Sequence, residues 1–114
     1  MDNSIFKKNA INHKKRRDFE RRHRLKVIKL RNKFLAEWAA NILGFRETQI
    51  KKYIVDIIKL DRNLDNKIIL KKIEKDFRKS KVQMSYKEIE FKSNDFQLKA
   101  NVIEENKLKL NKPF

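Results

Sequence analysis

Glycine and proline occur once each in 114 residues, at Gly44 and Pro113. A chain with so few turn formers and helix breakers, and rich in Leu, Ile and Lys, favours helix over most of its length.

Apolar spacing divides the chain into four segments. The first runs from about Asp18 to Leu43, where Ile28, Leu35, Trp38 and Ile42 recur at steps of 7, 3 and 4 on one helical face. Ala36, Ala39 and Ala40 leave room for a second helix to approach closely. Gly44 falls where this helix should end, because glycine accepts the left-handed C-cap conformation without steric cost. A second helix is expected over 47–60, with Ile50, Ile54, Ile57 and Ile58 on one broad side, Tyr53 beside them and Thr48 as a weak candidate cap. The stretch "DRNLDN" (61–66) reads as a connection. Asp65 is the expected N-cap of a third helix over 66–79, which repeats Ile69, Ile73 and Phe77. Ser85 with Glu88 forms a capping box that should open a fourth helix, whose inner face carries Ile89, Phe96, Ala100 and Ile103.

Four such stripes can be buried only against one another, so the expected architecture is an all-α, antiparallel four-helix bundle over 18–106. The terminal "KLKLNKPF" (107–114) reads as a frayed tail. Residues 1–17 scatter Ile5, Phe6 and Ile11 among Lys, Asn and Arg, too little apolar surface for a structure of their own. They read as a mobile arm that becomes helical against a partner.

Charge is distributed unevenly. The chain carries a net +16, yet residues 1–33 hold 13 Lys/Arg against 3 Asp/Glu, a net of +10. Residues 34–114 hold 18 against 12, only +6 over a longer segment. The run "KKRRDFERRHRLK" (14–26) would repel itself along one helix, a cost of a few tenths of a kcal/mol for each like pair at i, i+4. An acidic partner explains that cost: nucleic acid, an anionic membrane surface or an acidic protein groove. A bias towards Lys, Ile and Asn across a whole genome is the alternative source of the remaining lysines.

Several function classes drop out. With no Cys, no disulfide or thiolate metal site is possible, and His13 and His23 stand at no metal-ligand spacing. No apolar run approaches the roughly 20 residues that span a bilayer, and the basic N-terminus lacks a signal-peptide core. Asp61, Asp65 and Asp76 could share a surface, but no nucleophile or metal-binding His joins them, so no catalytic constellation is legible. The expectation is an intracellular soluble protein that is not an enzyme and uses no metal or cofactor.

The block "RNKFLAEWAANILG" (31–44) resembles the signature of the zeta-subunit family of alphaproteobacterial F1Fo-ATP synthase inhibitors. The positions that carry the resemblance are Arg31, Asn32, Leu35, Trp38, Ala39, Ala40, Leu43 and Gly44. "YIVDIIKLD" (53–61) and "ILKKIEKDF" (69–77) continue it more loosely, with Lys72 and Asp76 at equivalent places. The resemblance implies an inhibitor of ATP hydrolysis at the cytoplasmic face of the inner membrane. Its N-terminal arm would insert between the alpha and beta subunits and the rotating gamma subunit of F1-ATPase, blocking rotation in the hydrolytic direction. On that reading Phe6, Ile11 and Phe19 are apolar anchors, and Arg16, Arg17, Arg21 and Arg22 pair with acidic groups. The arm departs from the family's Glu/Asp/Ala-rich pattern: aligned from Gly44, Arg17, Phe19 and Glu20 stand at its Phe, His and Asp positions, and Leu25 at its later Phe. The alternative function is binding of nucleic acid through the phosphate backbone, with a steep salt dependence.

Overall fold

Four helices account for the structure, a computed structural model that describes residues 4–61 and 65–110, with side chains described from Asn12 onward. They are α1 (Ser4–Ile42), α2 (Glu47–Leu60), α3 (Lys67–Lys79) and α4 (Tyr86–Leu110). Each packs on its neighbour in sequence, and α4 returns to α1, closing a bundle. The expected all-α four-helix bundle is the fold.

The packing follows from the apolar stripes. Leu35 of α1, Ile57 of α2, Ile69, Ile73 and Phe77 of α3 and Ile89 of α4 are fully excluded from water. Each buried side chain of this size contributes about 1.5–3 kcal/mol. Ala36, Ala39 and Ala40 are equally buried, and their small side chains let α1 approach its neighbours closely. Trp38 is half-buried rather than central. It meets Phe77 and Phe96 edge-on, at centroid distances of 5.7 and 6.4 Å, and so joins α1 to α3 and α4.

Two expected stripes are rotated slightly from the inner face. Ile42 and Ile58 are 36% and 39% exposed, whereas Val27 and Tyr53 are buried. The helix boundaries hold best where the sequence carries a stop or start signal. α2 covers the expected span, and α4 starts after Ser85, whose Oγ accepts from the Glu88 N–H at 3.2 Å. Thr48 does not cap α2. The Arg46 N–H donates instead to Gln49 Oε1 at 2.9 Å. α3 starts at Lys67, with Asn66 at the cap position, while Asp65 Oδ1 accepts from the Lys67 N–H at 3.1 Å.

Two helices end in the same way. The Phe45 N–H donates to Ala40 O at 3.0 Å and the Gly44 N–H to Asn41 O at 3.1 Å, with Gly44 at φ +77°. That is a Schellman ending with glycine at the left-handed position. α3 repeats it through Val82 to Phe77 and Lys81 to Arg78, at 2.8 and 3.2 Å, but Lys81 takes the left-handed conformation at φ 61°.

α1 begins well before Asp18 and α4 continues past residue 106, so neither 17/18 nor 106/107 is an element boundary. No Gly or Pro stands at either place to stop a helix. The resulting shape is long, 70 × 26 × 22 Å, with a radius of gyration of 18.7 Å. A compact chain of this length would have about 13 Å. The excess comes mainly from α1, whose 39 residues extend for about 58 Å. Among the described residues no helix is long and apolar enough to cross a membrane.

Candidate functional site

The described part of α1 ahead of Val27 takes little part in the bundle core. Every residue from Asn12 to Asp18 is exposed, and the first buried side chain among the described residues is Val27. Arg16, Arg17, Arg21 and Arg22 are all exposed, and Phe19 is half-buried. Phe6 and Ile11 belong to α1, but their side chains lie outside the described residues.

The helical period places Arg16 and Arg22 about 60° to either side of Phe19, and Arg17 and Arg21 on the opposite side. The four arginines therefore surround the helix instead of forming one stripe. Arg22 Nε donates to the Asp18 carbonyl one turn earlier, at 3.3 Å. Phe19, His23 and Lys26 border a cavity of about 400 Å³ with Glu104 and Lys107 at the end of α4. From Asn12 to Asp18 the described side chains of α1 are all exposed, so Lys14, Lys15, Arg16 and Arg17 face solvent.

The block from Arg31 to Gly44 anchors this helix. Arg31 and Asn32 are 4% and 1% exposed. Asn32 Oδ1 accepts from Arg31 Nε and Nη2, at 3.1 and 2.9 Å, and Arg31 Nη1 donates to Gln97 Oε1 of α4 at 3.0 Å. On its other side Asn32 Nδ2 donates to Asp61 Oδ2 at 2.6 Å, at the C-terminal end of α2. The amide dipole thus lies between a cation and an anion, with its oxygen towards Arg31 and its nitrogen towards Asp61. Burial pushes the Arg31 guanidinium below its ordinary pKa, and the Asp61 carboxylate opposes that shift. Further along the same helix Leu35, Ala39 and Ala40 are buried in the core, Leu43 is half-buried, and Gly44 closes the helix.

A second polar cluster ties α2 to α3. Tyr53 donates its hydroxyl to Asp76 Oδ2 at 2.8 Å, and Lys72 Nζ reaches Asp76 Oδ1 at 3.0 Å. Burial raises the Tyr53 pKa well above the usual phenol range, and the hydrogen bond to Asp76 and its negative charge raise it further. Phe45 meets the Tyr53 ring edge-on at 5.5 Å.

The three aspartates considered together from the sequence serve separate purposes. Asp61 holds Asn32, Asp65 supports the start of α3, and Asp76 pairs with Tyr53 and Lys72. Among the described residues no group of three His, Asp or Glu could hold a metal ion. Sequence reasoning gave no role to Gln97 and none to Asp61 as their partner. A polar pair inside an apolar stripe was the available signal.

The model of one protein family, described as ATPase inhibitor subunit zeta, matches residues 5–102. That span contains α1 from Ile5, both polar clusters and most of α4. No curated protein and no solved structure matches the chain.

Proposed function

Because the chain belongs to the ATPase inhibitor subunit zeta family, we propose that it inhibits ATP hydrolysis by placing the N-terminal part of α1 between the alpha and beta subunits and the gamma subunit of F1-ATPase. The family's role is inhibition of the ATP synthase, and the protein is not an enzyme. The bundle, residues 18–106, carries residues 1–17 to their target. The inserted segment obstructs rotation in the hydrolytic direction. The protein resides where F1 projects from the membrane into the cytoplasm.

The observation that carries this reading is the exposure of α1 from Asn12 to Asp18, ahead of the first buried residue at Val27. A segment without a structural role in the bundle can enter a partner without unfolding anything. Arg16, Arg17, Arg21 and Arg22 surround that segment, which suits a groove with acidic groups on more than one wall. Phe19, with Phe6 and Ile11, supplies the apolar contacts.

The test is ATP hydrolysis by purified F1-ATPase of the same organism, titrated with the full chain and with a chain lacking residues 1–17. Inhibition that saturates near one copy per enzyme and disappears on truncation is the expected result. Inhibition that survives truncation would remove the segment from the mechanism.

The same exposed cations favour a second reading, binding to nucleic acid through phosphates. That reading requires the logarithm of affinity to fall steeply with the logarithm of salt concentration. It also requires indifference to the nucleotide state of F1.

A further inference from the structure

α4 is apolar on two opposite sides. Its inner line, Ile89, Ser93, Ala100 and Glu104, is buried in the bundle. About half a turn away, Phe91, Leu98 and Val102 are 69%, 68% and 55% exposed. Their steps of 7 and 4 residues place them on one outward stripe. Scattered apolar residues on a surface need no explanation, but an aligned stripe on a helix marks an interaction face.

Charge identifies what fits there. α1 holds 13 Lys/Arg against 3 Asp/Glu, a net of +10, whereas α4 holds 5 Lys against 5 Asp/Glu, a net of zero. An acidic partner has no purchase on a neutral helix. Moreover, α1 packs against α4, so its cations lie away from the outward stripe.

The stripe is also arranged symmetrically along the helix. Phe91 lies five residues before Phe96 and Val102 six residues after it. Lys87 and Glu105 lie nine residues before and nine after. The 18 residues between them make five full turns, which returns both to the same flank of the stripe. A two-fold axis through the middle of α4 would set two such helices antiparallel. It would bring Phe91 of each copy against Val102 of the other, and Lys87 of each against Glu105 of the other, with the Leu98 pair between.

We infer that the outward face of α4 binds a second copy of this chain as an antiparallel, two-fold dimer. This is independent of the inhibitory reading, because it uses none of the residues assigned to F1. A single helix-to-helix contact is smaller than a standard stable interface, so the dimer is weak and forms in the micromolar range or above.

Sedimentation velocity of the full chain, from low micromolar to near-millimolar concentration, gives the test. A monomer–dimer equilibrium is expected in the wild type. Leu98→Glu should leave monomer at every concentration, with an unchanged circular dichroism spectrum because Leu98 faces water. Lys87→Glu and Glu105→Lys should each weaken the dimer by about three- to tenfold, as expected for losing two exposed ion pairs. The combined exchange K87E/E105K should restore it. A wild-type chain that stays monomeric throughout overturns the proposal, as does a dimer indifferent to Leu98→Glu. Failure of the double exchange to restore association overturns the two-fold arrangement. If Leu98→Glu weakens binding to F1 and the wild type does not self-associate, the stripe belongs to the enzyme instead.

Discussion

Asn32 Nδ2 lies 2.6 Å from Asp61 Oδ2, so a buried amide on α1 holds the carboxylate that ends α2. The same amide accepts two hydrogen bonds from Arg31. Removing it leaves a buried cation and a carboxylate without their shared partner.

Asn32→Leu keeps the volume and loses all three bonds. It should destabilise the bundle by about 2–4 kcal/mol, since one stranded charged group costs more than an ordinary lost hydrogen bond. Urea unfolding measures it. A loss below about 1 kcal/mol would mean that water replaces the amide at little cost.

Tyr53→Phe removes one donor and leaves Asp76 to Lys72, for an expected loss of about 1–2 kcal/mol. The pH dependence has a definite sign. Tyr53 is raised above its unfolded value in the folded state, chiefly by burial. Its contribution is therefore fully present below the unfolded pKa of about 10 and declines as pH rises above it. Unfolding curves of wild type and variant should converge above pH ~10. Parallel curves through that range would show that Tyr53 ionises freely in the native protein.

The two Schellman endings predict opposite responses. Gly44→Ala meets no neighbouring atom within 4 Å but places a Cβ at φ +77°, so the cost is conformational, about 1 kcal/mol. Lys81→Gly relieves the same strain at φ 61° and should stabilise by up to about 1 kcal/mol. Thermal unfolding of the two variants decides the matter. A destabilising Lys81→Gly would show that the lysine side chain contributes more than its backbone costs.

Deletion of residues 1–17 should change unfolding free energy by less than about 0.5 kcal/mol. Asn12 to Arg17 are exposed, and the shortened helix would begin at Asp18, a good N-cap residue. A large loss of stability would mean that the segment packs on the bundle. The F1 titration with this variant would then no longer separate binding from folding.

The legible parts of the fold were those with a local signal. Gly44, the Ser85–Glu88 capping box and the Ile69–Ile73–Phe77 spacing each predicted an end, a start or a face that the structure contains. The start of α1 had no such signal, because helix continuity through Lys- and Arg-rich sequence needs only the absence of breakers. Apolar periodicity was also blind to the polar interior. It placed Ile42 and Ile58 on inner faces that tilt away from them, while Arg31 and Asn32 occupy inner positions. Their partners, Asp61 and Gln97, are 29 and 66 residues distant along the chain, from Asn32 and Arg31 respectively. No local pattern encodes such pairings. For the candidate site, the spacing exposed the charge on α1 and its spread around the helix, but not that the bundle leaves Asn12 to Asp18 uncovered.

The clustering of positive charge toward the N-terminal end of α1 also makes the molecule an electric dipole along its 70 Å length. In the field of an acidic surface such a body turns before it touches, presenting the basic end of α1 first. Productive encounters then occur more often than random tumbling allows. The advantage is kinetic, and it fades as dissolved salt shortens the range of the field to about 8 Å at physiological ionic strength.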